Sequence, residues 1–300
     1  MATRSELLVE SGAQAEEGLR HGGRPGVLRA LVREPTAVAG LAIVLGMALV
    51  AIAAPVLAPA DPAAVDGARR LLPPSLEHPL GTDNLGRDVL SRIMWGARLS
   101  LGTAALATTL ILTIGVGIGL AVGYYGGLLD DVVMRVVDVI LAFPALILAL
   151  AIVGVLGAGI GSVMIGVVSV AWADYARVMR GLVLAARERQ YVEAARAVGA
   201  RDLRIVLRHV APNVLAPVIV LASLEMGGII LAVSALSFLG LGAQPPTPEW
   251  GAMLNDGRPF IFAAPQLMVY PGVAISLVVI GFNLLGDGLR DVLDPHTRRG

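Results

Sequence analysis

Between Asp138 and Asp174 the chain carries no charge, and similar charge-free runs cover Thr36–Ala60, Leu99–Leu129 and Pro259–Gly286. A fifth run, Val210–Pro248, holds a single charge, Glu225. A helix is the open-ended structure that satisfies its own backbone in lipid, and a crossing needs roughly 20 mostly apolar residues. The pattern therefore predicts spans near Ala37–Leu57, Leu101–Gly123, Val133–Val155, Ser162–Val178, Val214–Leu236 and Met268–Leu285. The longest run is divided by the Gly-rich stretch Gly154–Gly161, read as a tight turn, and Phe143-Pro144 is expected to kink the third span. The expected fold class is an all-α polytopic membrane protein with six transmembrane helices.

Composition removes several alternatives. Hydrophobic residues make up 56% and charged residues 15% of the 300 positions, against about 45–50% and about 25% in soluble domains. The absence of Cys excludes a disulfide scaffold, and a net charge of zero argues against a nucleic-acid-binding role. All 23 basic residues are Arg. Without Lys the chain can build neither a Walker A loop nor a pyridoxal Schiff base. The four His (His21, His78, His209, His296) are scattered and form no HExxH helix, so no metal site and no catalytic residue is expected.

The first span follows more than 30 residues of polar lead, too long for a signal peptide, and is read as a permanent anchor. With the N-terminus inside, the inner segments (1–36, 124–138, 174–210, 287–300) hold 17 Arg and the outer ones 6. The positive-inside rule then puts both termini in the cytoplasm. Five of the six outer Arg lie in residues 58–98, interleaved with Asp61, Asp66, Glu77, Asp83 and Asp88. The chain divides into a cytoplasmic tail (1–33), a first span with an extracytoplasmic segment (34–98), a core (99–290) and a cytoplasmic C-terminal tail (291–300). Within the core, residues 182–210 are too polar to span and are patterned as helix, Gly turn, helix. Leu182, Ala185, Ala186, Arg189, Val192 and Arg196 recur at helical spacing, Gly199 sits at a C-terminus, and Asp202 suits a second helix start. Pro212 starts the next span or ends this helix.

Glu193-Ala194-Ala195, followed by Gly199 and Pro212, resembles the EAA signature of ABC importer permeases. The stretches His78–Arg92, Leu236–Gly242 with Pro245–Gly251, and Asn283–Asp291 with Asp294-Pro295 resemble the dipeptide/oligopeptide/nickel branch of that family, and in particular its C-type subunit. The match runs from about Arg33 to Pro295. It departs from the family pattern at His209 and Ala211, and at Val233, where relatives often carry an acid; no substrate contact is carried over to that position. The resemblance implies a type I importer permease fold and half of a translocation pathway for dipeptides or short oligopeptides. Nickel chelates or glutathione-like peptides are the alternatives within the family. It implies that Glu193, Ala194, Ala195 and Gly199 form a coupling helix docking on one or two cytoplasmic ATPase subunits. ATP and Mg would bind there, and no cofactor would bind in this chain. The further partners implied are a homologous second permease, an extracytoplasmic substrate-binding protein and the bilayer of a bacterial cell membrane.

Four residue groups remain. Gly115, Gly119 and Gly123 form a doubled small-xxx-small face for close helix packing. Glu225, deep in a span, is read as lining the pathway, because an intramembrane charge faces water or a partner. Asp83, Arg87, Asp88, Glu249 and Trp250 are read as outer-mouth or binding-protein contacts, with a solvated turn and helix start as the plainer reading. Asp138 is expected to pair with Arg135 one turn away. An autonomous ion-coupled secondary transporter is the competing class, although no internal repeat of the kind such folds carry is visible.

Overall fold

The computed structural model describes residues 31–293. Most of the N-terminal tail, the Asp294-Pro295 motif, His21 and His296 lie outside the described residues. Among the described residues there is no strand, only an isolated bridge between Thr82 and Asp88.

Helix α1 (Pro35–Leu57) opens on a proline, whose missing N–H is harmless in a first turn. Helix α2 (Val89–Tyr125) has 37 residues. At 1.5 Å per residue it is about 55 Å long, well beyond the roughly 30 Å of bilayer hydrocarbon. It begins a dozen residues before the expected span because the Asp88 carboxylate accepts the Ser91 N–H at 2.7 Å and fixes the start. The division expected at residues 98 and 99 therefore falls inside a continuous helix.

The expected third span is a right-angled pair, α3 (Gly127–Leu141) and α4 (Ala145–Leu156), meeting at 92°. Phe143-Pro144 breaks the helix rather than kinking it: Pro144 has no N–H to donate, and it becomes the residue preceding α4. The chain reverses at Gly157, whose φ of +88° is open to glycine, into α5 (Ile160–Arg187). Among the described residues five helices are long and apolar enough to cross a membrane, and a sixth crossing is counted if the bent pair acts as one.

After α5 come the short helix α6 (Gln190–Ala197) and α7 (Asp202–Ile205). A π-turn (Val206–Val210) leads directly into α8 (Ala211–Phe238). Here the Ala211 N–H bonds to the Val206 carbonyl, five residues back. Pro212 is the second residue of α8 and so stands at the start of the next span, the first of its two expected places; the wider turn lies immediately before it, where no regular bond can be made. Helix α9 (Trp250–Gly257) lies at the end of the bundle where α2 begins, and α10 (Gln266–Leu293) is the last long apolar helix.

In lipid there is little hydrophobic drive between helices, so close packing of small residues decides which pair. Helix α2 lies along α5. Its glycine face meets that helix directly: a Cβ on Gly115, Gly119 or Gly123 would sit 2.6, 2.6 or 2.8 Å from the Cβ of Tyr175, Met179 or Val183. A second seam joins α1 to α10, where a Cβ on Gly40 would fall 2.6 Å from the Gly281 carbonyl oxygen. Ile111, Met179, Val183, Val218 and Val278 belong to the common core. Leu49, Ile52, Val56, Ile165 and Ile219 point outward, as lipid-facing residues should.

Candidate functional site

Two polar regions cap the opposite ends of the bundle. In the one at the start of α2, the extended segment after α1 folds back over that helix and meets α9. Asp83 Oδ1 accepts the N–H groups of Leu85 (2.8 Å) and Arg87 (3.0 Å), and its Oδ2 accepts Arg87 Nε at 2.6 Å. Arg87 and Arg92 both reach Asp256 Oδ2, at 3.4 and 3.5 Å. The His78 ring nitrogen Nδ1 lies 2.9 Å from Asp88 Oδ2. Glu249 caps α9 through the N–H groups of Gly251 (3.0 Å) and Ala252 (2.9 Å) and accepts the Ser100 hydroxyl at 3.1 Å. Trp250 donates its indole N–H to the Ile93 carbonyl at 3.0 Å and lies against Gly96, where a Cβ would meet its ring at 2.9 Å.

This geometry bears directly on the outer-mouth residues. Asp83, Arg87, Asp88, Glu249 and Trp250 are each at most 6% exposed. Their polar atoms bond within the cap, so direct contact with an arriving protein is not what these side chains offer here. Sequence separation hid the cluster: Asp256 lies 169 residues from Arg87, and nothing in the local pattern marks it as the shared acceptor.

The second region, at the opposite end, is the elbow between α5 and α8. The helical recurrence from Leu182 to Arg196 belongs to two helices, since α5 ends at Arg187 and α6 begins at Gln190. On α6, Val192 and Ala195 are buried, whereas Glu193, Ala194 and Arg196 are exposed. Gly199 turns the chain with φ +77°, a conformation that strains any residue with a Cβ. Val198 beside it is 84% exposed, an apolar tip that the sequence reading did not single out. The elbow is tied to the bundle at Tyr124, whose hydroxyl donates to Asp202 Oδ1 at 2.8 Å and whose ring lies 5.6 Å from the Arg196 guanidinium. Arg187 also donates to the Gly123 carbonyl at 3.3 Å.

Two ion pairs brace α3 against α5 near this end. Arg180 grips Asp130 with Nη2 at 2.6 Å from Oδ2, and Arg177 pairs with Asp138. The expected partner of Asp138 was Arg135. Packing overrode proximity in sequence, because α3 lies along α5 and presents Asp138 to Arg177. Glu225 is exposed at the surface of the single chain, midway along α8.

Residues 114–299 match the family model of the binding-protein-dependent transport system inner membrane component. Residues 26–74 match the N-terminal TM domain of oligopeptide transport permease C. The chain belongs to this permease family. It is 46% identical to the dipeptide transport system permease protein DppC of Alkalihalophilus pseudofirmus, over 89% of this chain and 88% of that protein. It is 45% identical to the nickel transport system permease protein NikC of Escherichia coli K12, over 85% of this chain and 92% of that one. Against the glutathione transport system permease protein GsiD of an Escherichia coli O6:K15:H31 strain, identity is 46% over 75% of this chain and 74% of that one. The fold is shared with a chain of the MetNI methionine ABC transporter solved in inward-facing conformations. That match has a TM-score of 0.55 at 18% identity and covers 68% of this chain and 98% of the other.

The permease is accordingly a multi-pass membrane transport subunit of an ABC importer rather than an enzyme, and ATP hydrolysis lies in separate subunits. Four of the five Arg between residues 58 and 98 are held within the cap. Arg87 and Arg92 are held by Asp83 and Asp256, Arg69 is bonded to Glu77, and Arg70 donates to the Asn84 carbonyl at 2.7 Å. The Glu77 carboxylate raises the already high pKa of Arg69 further, so that guanidinium is always charged.

Proposed function

We propose that this permease forms half of the pathway of an ATP-driven importer of dipeptides or short oligopeptides. The observation that carries the coupling reading is the elbow. An eight-residue helix stands off the spans with Glu193 and Ala194 outward, is anchored through Val192 and Ala195, and ends at the Gly199 turn. Such a helix offers a partner a charged and apolar surface, while the continuous run from Asp202 through α8 carries any push into the membrane. Glu193, Ala194, Ala195 and Gly199 are the coupling residues, with Val198 added as an apolar contact. The partners are one or two cytoplasmic ATPase subunits holding ATP and Mg, a homologous permease and an extracytoplasmic binding protein. Both termini then lie in the cytoplasm of a bacterial cell, on the side with 17 of the 23 Arg.

Glu225 lines the pathway on this reading. Asp83, Arg87, Asp88, Glu249 and Trp250 act at the outer mouth by holding the cap rigid, so that its surface keeps one shape for a docking protein. The relative named for dipeptides, 46% identical over 89% of this chain, supports the dipeptide reading, and the nickel-named relative, which aligns about equally, keeps nickel as the second reading. The test is Glu193→Ala combined with Gly199→Pro in the full importer. ATP-driven uptake of a dipeptide should fall to background although the complex assembles; unchanged uptake refutes coupling through this elbow. Proton-driven uptake into vesicles containing this chain alone would favour a secondary transporter instead.

A further inference from the structure

We propose that the arm from Arg201 to Val210 is a docking surface for anionic phospholipids of the inner leaflet, whose phosphates Arg201, Arg204 and Arg208 grip. The proposal goes beyond the importer reading above. It takes from that reading only the cytoplasmic placement of the elbow, and it holds whatever substrate is carried. The three arginines follow at spacings of three and four, so they stand one above another along one side of the arm. All three are exposed, and none makes a side-chain hydrogen bond or ion pair among the described residues. The acid within the arm, Asp202, accepts the Tyr124 hydroxyl instead.

A charged row alone would suit bulk water. Beside it runs an apolar row, Leu203 and Leu207, four residues apart and 65% and 58% exposed. Ile205, Val206 and Val210, on a third side, are buried and fix the arm to the bundle. Exposed leucines next to arginines are the pattern of a segment at headgroup level, where the apolar row meets acyl chains and the guanidinium groups meet phosphates. The height agrees. The arm runs without a break into α8, and Val210 opens the run to Pro248 in which Glu225 is the one charge. Arg208 is the last charge before that run. It lies about 45 Å from Phe238 at 1.5 Å per residue, against roughly 40–45 Å for a bilayer with its headgroups. A guanidinium fork matches two phosphate oxygens; free phosphate would satisfy the arginines but leave the leucines in water. Arg204 and Arg208 also line, with His209 and Ala194, a groove of about 700 Å³ between the arm and α6. A headgroup held there stands beside the helix read as docking on the ATPase.

The test titrates short-chain phosphatidylglycerol into the purified importer in neutral detergent and follows its melting temperature. Short-chain phosphatidylcholine and inorganic phosphate are the controls. Phosphatidylglycerol should raise the melting temperature, and neither control should. In Arg201→Gln, Arg204→Gln and Arg208→Gln the midpoint of the titration should move to about fivefold higher lipid for each arginine replaced, and about a hundredfold in the triple variant. Replacing all three by Lys keeps the charge and should restore most of the response, whereas Leu203→Ser with Leu207→Ser should weaken it. Copurification of the ATPase subunits without added lipid separates the two bodies that could meet these arginines. The triple Gln variant should retain those subunits at wild-type yield; their loss overturns the proposal, because the arginines would then be holding the motor. An equal rise with phosphatidylcholine or phosphate, or a midpoint unmoved in the triple Gln variant, also overturns it. If the wild type itself carries no ATPase subunit, the importer reading fails, while the lipid titration still decides this proposal.

Discussion

Placing a single methyl group at Gly119 tests how the bundle is held together. A Cβ there would lie 2.6 Å from the Met179 Cβ and 2.7 Å from the Ala176 carbonyl oxygen, which belongs to backbone and cannot swing aside. Apolar contacts are comfortable at about 3.5–4.0 Å, so α2 and α5 must part by about 1 Å. Overpacking of this kind costs about 1–3 kcal/mol. Replacing Gly by Ala within a helix also returns about 1 kcal/mol of propensity, which would blur the result. Gly117→Ala removes that ambiguity: it lies on the same helix, and nothing stands within 4 Å of its Cβ position. The propensity gain is common to both, so the difference isolates the clash. Gly119→Ala should be less stable than Gly117→Ala by about 2 kcal/mol. In a chain of this size that corresponds to a melting difference of roughly 4–8 °C, read by heating the purified importer in detergent and measuring what remains assembled. The triple variant at Gly115, Gly119 and Gly123 should cost less than the sum of its parts, because one displacement of α2 relieves all three clashes. If Gly119→Ala melts at or above Gly117→Ala, the α2–α5 seam is not a close one and the packing argument fails.

Other perturbations address the polar ends. Arg87→Met leaves the buried Asp83 carboxylate without its 2.6 Å partner and should destabilise by about 3–5 kcal/mol, seen as loss of folded permease. Asp256→Asn, whose side chain is 31% exposed, should cost no more than about 1 kcal/mol. Trp250→Ala removes a fully buried ring from the outer cap and should cost about 3–5 kcal/mol, measured by the same melting assay. Tyr124→Phe deletes the hydrogen bond that tethers the elbow. It should lower stability by only about 1 kcal/mol while reducing ATP-driven uptake measurably; uptake at the wild-type rate would show that the tether plays no part in coupling.

The charge-free runs alone determined that this chain lives in a bilayer and roughly where it crosses, because the cost of burying charge in hydrocarbon acts on composition and needs no fold. The glycine spacing of α2 was legible for a related reason: a period of four marks one helix face whatever the partner, although only packing showed that the partner is α5. Gly199 was legible because its left-handed turn is a local property. Three things belonged to the tertiary structure. The bend between α3 and α4 opened to a right angle because α3 is drawn along α5 by Asp130–Arg180 and Asp138–Arg177, contacts some 40 to 50 residues apart in sequence. The outer charges proved to be buried partners of one another, since Asp256 comes from the far end of the chain to neutralise Arg87 and Arg92. And Tyr124 at the end of α2 came to tether the elbow through Asp202, 78 residues away in sequence. A sequence states which residues must avoid water or lipid; it does not state which distant residue will answer each charge, because that depends on how the helices are placed against one another in space.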